Sequence, residues 1–192
     1  MLQVEKKETA EIIAQAKNQL DVEGDFVELG CFEGDTSLLL AEILKEKTTG
    51  KKLWIFDSFE GLPEKTEEDF SESGRDFQKG ELLTSKRFVK QRFLRANLPV
   101  PVIKKAWFSE LDPEKDLPEK VAFAFFDGDL YESIRTSFRL VFPKLSAGGK
   151  IIVHDYQNPQ LPGVTKAVDE FLETHPLKAT RKFGLVIISK DF

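Results

Sequence analysis

The apolar run Val121 to Phe126 breaks off at Asp127, Gly128 and Asp129, and a second run, Ile151 to Val153, breaks off at His154 and Asp155. Strands this apolar are buried on both faces, as in a parallel sheet with helices on either side. In an open α/β sheet, ligands bind outside the carboxyl ends of the strands. The strand ends bearing Asp127 and the His154–Asp155 pair are therefore expected to meet over one site. Carboxylates and an imidazole gathered there suit a divalent cation.

The remaining pattern alternates helix and strand. Ile12, Ile13, Ala16 and Leu20 share a helical face over residues 9–20, with Thr9 as the expected N-cap. Strands are expected at 26–29, 52–56, 101–104, 121–126 and 150–153, and within 181–190. Helices are expected at 35–46, 83–97, 132–145 and 162–174. This alternation predicts an α/β fold with a parallel sheet and helices on both faces. Residues 57–80 are polar and carry Gly and Pro, which reads as a long loop near the site. Neither a repeat nor a boundary interrupts the chain. Residues 1–192 read as a single domain, with 1–22 as an N-terminal helical segment.

Composition narrows the function classes. A share of 41% hydrophobic and 32% charged residues excludes a disordered or membrane-embedded chain. A net charge of −5 argues against nucleic acid or an anionic membrane as partner. The basic stretch Lys86, Arg87, Lys90, Arg92 and Arg95 is interrupted by Phe88, Val89 and Phe93, and reads as a solvated helix face. The single cysteine, Cys31, allows no internal disulfide, and the first residues lack the apolar core of a secretion signal. The expected location is cytoplasmic.

Two turns carry further chemistry. Glu28, Gly30 and Gly34 stand where the first strand enters a helix, and glycines there let the backbone approach a ligand closely. The third glycine of a dinucleotide fingerprint is missing. A carboxylate before the turn suits a ligand with a positive centre, such as the amino and sulfonium groups of S-adenosylmethionine. Asp57, at the end of the second strand, can accept hydrogen bonds from both hydroxyls of a ribose. A cation held by Asp127, His154 and Asp155 would lower the pKa of a bound hydroxyl, and an adjacent Asp could take its proton. Two plainer readings compete: Asp129 as an N-cap for the following helix, and His154 as a satisfied polar residue.

VELGCFEGDTS (residues 27–37) is similar to the cofactor-binding motif of class I S-adenosylmethionine-dependent methyltransferases. FDSFEGLPE (56–64), DGDLYES (127–133) and HDY (154–156) followed by PGVTKAVDEF (162–171) resemble the macrocin O-methyltransferase (TylF-like) family. The resemblance implies a Rossmann-like, seven-stranded, mainly parallel sheet with an antiparallel strand near the C-terminus. It also implies methylation of a small-molecule or sugar hydroxyl, with magnesium as cofactor alongside S-adenosylmethionine. By this resemblance Glu28, Gly30 and Gly34 serve the methionine part of the cofactor, Asp57 and Ser58 the ribose, and Trp107 and Phe108 the adenine. Asp127 would be metal ligand and general base, and Asp155 a second ligand.

The chain departs from the family in two places. Where the family usually has two consecutive Asp residues, this sequence has His154-Asp155. Imidazole is a poor ligand for magnesium and a good one for Mn, Fe or Zn ions. His154 is thus expected to act either as a ligand for such a metal or as a base without one. One helix precedes the first strand, whereas the enzymes it resembles carry a longer N-terminal cover. Either the acceptor is larger and more exposed, or the site closes through residues 57–80 or through the partner subunit of a homodimer. Two rival functions remain: a non-catalytic cofactor-binding subunit, and methyl transfer to a nucleic acid or amine.

Overall fold

The computed structural model describes residues 4–47, 50–72 and 76–191. Five parallel strands are β1 (Asp25–Leu29), β2 (Leu53–Asp57), β3 (Val102–Lys105), β4 (Val121–Phe126) and β5 (Leu145–Val153). β7 (Leu185–Ser189) lies antiparallel to β5, and β6 (Lys178–Lys182) antiparallel to β7. The strand order is β3-β2-β1-β4-β5-β7-β6, the mainly parallel seven-stranded sheet expected from the sequence. Its connections reverse direction between β1 and β4, which opens a crevice at their carboxyl ends. No described helix is long and apolar enough to cross a membrane.

Strand periodicity of two distributes the core. Phe26, Ile55, Phe123, Phe125 and Ile152 pack with α1 (Lys6–Lys17), α2 (Asp35–Lys47) and α3 (Lys86–Arg95). Val27, Leu29, Phe56, Phe126, Ile151 and Val153 pack with α5 (Tyr131–Val141) and α6 (Pro162–Thr174) on the other face. A short α4 (Pro113–Asp116) precedes β4. Every residue of β4 is buried. Each of its Phe side chains stabilises the fold by about 1.5–3 kcal/mol. The same parity carries Glu28, Asp57, Asp127 and His154 to the α1–α2 side at the strand ends.

Several boundaries differ from the sequence expectation. The first helix runs over Lys6–Lys17 rather than 9–20, because Glu5 and Glu8 form a reciprocal capping box. Thr9 is no cap; its hydroxyl donates back to the Glu5 carbonyl at 2.9 Å. Ser85 caps α3, accepting the Phe88 amide at 3.1 Å, so that helix begins at Lys86 and not at 83. α5 ends at Val141 in a single 3-10 turn through Pro143, which cannot continue a helix. β6 was missed because its sequence, Lys-Ala-Thr-Arg-Lys, is almost wholly exposed. Such charges suit an edge strand, where they oppose pairing with another chain. Phe183 and Gly184 both take positive φ in the two-residue turn between β6 and β7.

Between β2 and α3, the described residues are pinned at two levels. The Leu62 amide donates to the Glu81 carbonyl at 2.8 Å and the Gly80 amide to the Leu62 carbonyl at 2.9 Å. Farther out, Asp69 is 2% exposed and accepts the Tyr131 amide at 2.7 Å, together with the Thr66 amide and hydroxyl. Gly163 permits this approach, since a Cβ there would lie 1.9 Å from Asp69 Oδ1. The buried carboxylate therefore sits against the starts of α5 and α6, where helix dipoles favour negative charge.

Candidate functional site at the strand ends

A cavity of about 370 Å³ opens at the crevice, within the size range of small-molecule sites. Gly30 and Phe32 enter it from the first turn, Asp57 and Ser58 from the end of β2, and Asp127 and Asp129 from the end of β4. Trp107 and Phe108 form an aromatic wall, and the pinned loop contributes Gly61, Leu62 and Pro63. Six residues assigned to cofactor binding or catalysis from the sequence therefore share one cavity: Gly30, Asp57, Ser58, Trp107, Phe108 and Asp127.

The first turn is built by close backbone contact. Gly30 has φ +87°, and a Cβ there would lie 2.1 Å from the Asp127 carbonyl oxygen. Asp57 fixes the same turn: its carboxylate accepts the amides of Cys31 (2.9 Å), Phe32 (3.2 Å) and Phe59 (2.7 Å). Gly34 lines neither this cavity nor the smaller one beside it and turns the chain into α2 at φ +84°. Glu28 lines a smaller neighbouring cavity with Cys31, Phe32 and Asp127. It is 1% exposed and accepts the Ser37 hydroxyl. Burial pushes its carboxyl up to about 8; the Ser37 hydrogen bond opposes this, while Asp127 and Asp57 add to it. Burial likewise raises the Cys31 thiol, helped by Asp57 and Glu28.

Beside Asp127 the second strand end supplies the imidazole. His154 is 6% exposed, and its Nδ1 lies 2.9 Å from Asp127 Oδ1 and 2.9 Å from Asp155 Oδ2. One potential ligand atom from each of Asp127, His154 and Asp155 falls within 4.8 Å of the others. The outer nitrogen, Nε2, lies 3.3 Å from Glu8 Oε2. Burial alone would disfavour the imidazolium, but Asp127, Asp155 and Glu8 outweigh it and raise the ring's pKa. For Asp155, burial pushes the carboxyl up, but His154 and the Asn158 amide (2.7 Å) prevail and lower it. Asp155 adopts φ +58°, a left-handed conformation that only a well-packed surround sustains.

Two further residues border this site: Asp129, for which the sequence also offered an N-cap role, and Glu8. Asp129 lines the cavity at φ +60° and does not cap α5, whose N-cap is Leu130. The open helix amide goes to Asp69 instead. Burial raises the Asp129 carboxyl well above the usual range, and Asp127 and Asp155 add to the effect. Its signal was the second Asp of DGDLYES. Glu8 is the other, and nothing in its local sequence marks it.

The family profile for macrocin-O-methyltransferase (TylF) matches residues 5–182. Demethyldecarbamoylnovobiocin O-methyltransferase of Streptomyces niveus is 30% identical over 157 residues, 79% of this chain and 59% of its own length. A tetracenomycin-C 4'-O-methyltransferase of Streptomyces olivaceus, acting on a dimethoxy-rhamnosyl derivative by its name, is 31% identical over 70% of this chain and 54% of its own. The chain thus spans less than two thirds of these relatives. The solved structure of the O-methyltransferase NovP superposes with a TM-score of 0.82 at 26% identity, covering 97% of this chain and 80% of that one. The calicheamicin methyltransferase CalS11, at 19% identity and a TM-score of 0.78, shares the fold. With its sheet order, strand-end cluster and matched motifs, the chain belongs to the macrocin O-methyltransferase (TylF) family.

Proposed function

We propose that this chain transfers the methyl group of S-adenosylmethionine to a hydroxyl of a small, sugar-bearing acceptor, assisted by a divalent cation. The observation that carries this reading is the adjacency of two features: the cavity bordered by Gly30 and Asp57, and the Asp127–His154–Asp155 cluster. The cofactor ribose would meet Asp57 and Ser58, its adenine Trp107 and Phe108, and its ammonium group Glu28. The named acceptors of the relatives, a novobiocin precursor and a rhamnosyl tetracenomycin, support the acceptor class.

The chain's own part is chiefly alignment: acceptor oxygen, methyl carbon and sulfur in one line, so that the C–O bond forms as the C–S bond breaks. The hydroxyl proton passes to a carboxylate of the strand-end pair, Asp127 or Asp129. A carboxyl with a raised pKa, as at Asp129, is suited to that task. His154 is not cast as the base, because both its ring nitrogens already face carboxylates. Two carboxylates and an imidazole fit Mn, Fe or Zn ions better than magnesium. Such an ion supplies Lewis acidity toward the acceptor oxygen when bound.

The test is transfer of labelled methyl to a panel of glycosylated and phenolic acceptors, in Mn²⁺, Mg²⁺ or EDTA. Expected is product on a hydroxyl that disappears with EDTA, and Asp127→Asn without turnover yet with cofactor affinity within a few-fold. Full activity in Asp127→Asn removes that residue from the mechanism. Cofactor binding without transfer to any acceptor would favour a non-catalytic subunit.

A further inference from the structure

α1 delivers a buried carboxylate into the strand-end cluster from far away in sequence. Glu8 is 8% exposed, and its Oε2 both accepts the Glu5 amide at 2.8 Å and faces His154 Nε2 at 3.3 Å. The β6–β7 turn closes over it: a Cβ at Gly184 would lie 2.8 Å from Glu8 Oε1. Lys182 pairs with Glu11 at 2.6 Å and so holds α1 against the same hairpin. Glu8 has little room to turn away.

A histidine that binds a metal through one nitrogen is commonly oriented by a carboxylate on the other. Here the inner nitrogen, Nδ1, points to Asp127 and Asp155, while the outer one meets Glu8. We propose that Glu8 is a positioning residue that accepts a hydrogen bond from the Nε2–H of His154 and thereby keeps Nδ1 turned inward as a ligand. α1 then takes part in choosing the cation, favouring metals that accept imidazole over magnesium. This rests on the cation site proposed above. It explains why an acidic side chain is buried on a helix otherwise packed through Ile12 and Ala16.

The test titrates Mn²⁺ and Mg²⁺ calorimetrically into the wild type and Glu8→Gln, each also in a His154→Asp background. Loss of such an orienting partner typically costs 10–100-fold in metal affinity. Glu8→Gln should therefore weaken Mn²⁺ by about 10-fold or more while leaving S-adenosylmethionine affinity within about twofold. In the His154→Asp background the same change should have no effect on Mn²⁺. Unchanged Mn²⁺ affinity in Glu8→Gln, or an equal loss in both backgrounds, overturns the positioning role. If the wild type binds neither ion, the cation site itself fails, and the Glu8 contact is then read directly. The chain has two histidines, so a ¹⁵N-histidine spectrum with His175→Gln for assignment isolates His154. Its Nε2–H signal should be protected from exchange in the wild type and lost in Glu8→Ala. Equal protection in both proteins overturns the proposal whether or not a metal binds.

Discussion

If the cofactor ammonium sits against Glu28 as proposed, cofactor affinity should depend on pH. Its carboxyl is fully buried and raised to about 8, with burial as the main cause. At pH 7 only about one molecule in ten carries it ionised. A ligand ammonium placed against it requires the charged form, so binding should release about one proton. Affinity should then rise about tenfold per pH unit between pH 6 and 7.5, about 1.4 kcal/mol per unit. The cofactor's own α-amino group titrates near 8, as such groups do, so affinity should peak there. Calorimetry in two buffers of different ionisation heat counts the proton directly. Glu28→Gln should bind more weakly and lose the slope. The linkage also reaches stability. The folded carboxyl lies above its unfolded value of 4.5, so the ligand-free fold binds more protons between about 4.5 and 8 and loses stability as pH rises through that window. The loss is at most about 5 kcal/mol, and Glu28→Gln should abolish it. A wild-type affinity flat in pH, with no proton released, would refute the placement of the ammonium at Glu28.

Three further outcomes can be checked on purified protein. Gly30→Ala forces a side chain onto φ +87° and against the Asp127 carbonyl; a cost of at least about 2 kcal/mol should appear as a thermal midpoint lowered by about 5 °C or more. Asp69→Ala leaves the Tyr131 amide without its partner. It should destabilise by about 1–3 kcal/mol and speed proteolysis within residues 57–80, and Gly163→Ala, which crowds Asp69, should do the same. Cys31 is buried with a raised thiol pKa, so iodoacetamide at pH 7.5 should label it at least about tenfold more slowly in the folded protein than in denaturant. Equal labelling rates would show the turn to be open.

The sheet was legible because its strands are short apolar runs that stop at charged residues, as at Phe126-Asp127 and Val153-His154. The registers between those strands, seen only in the structure, place Glu28, Asp57, Asp127 and His154 on one side of the sheet. Other features depend on contacts between distant segments. Glu8 meets His154 across 146 positions of chain, and the packing of α1 beside α2 and over the sheet and the β6–β7 turn brings them together. Asp69 looks like an ordinary loop acid until Gly163 admits it to two helix starts. Asp129 resembled a cap because it precedes a helix, yet its left-handed backbone turns it away from that duty. β6 escaped notice because an edge strand needs no apolar face.

The proposed separation of cofactor binding from chemistry along the strand ends can be tested directly. S-adenosylmethionine would be titrated calorimetrically into the wild type, Asp57→Asn and Asp127→Asn. Expected is micromolar binding to the wild type, about tenfold or greater weakening in Asp57→Asn, and affinity within a few-fold in Asp127→Asn. Absence of cofactor binding to the wild type, or equal weakening in both variants, would contradict the division of labour assigned to these two aspartates.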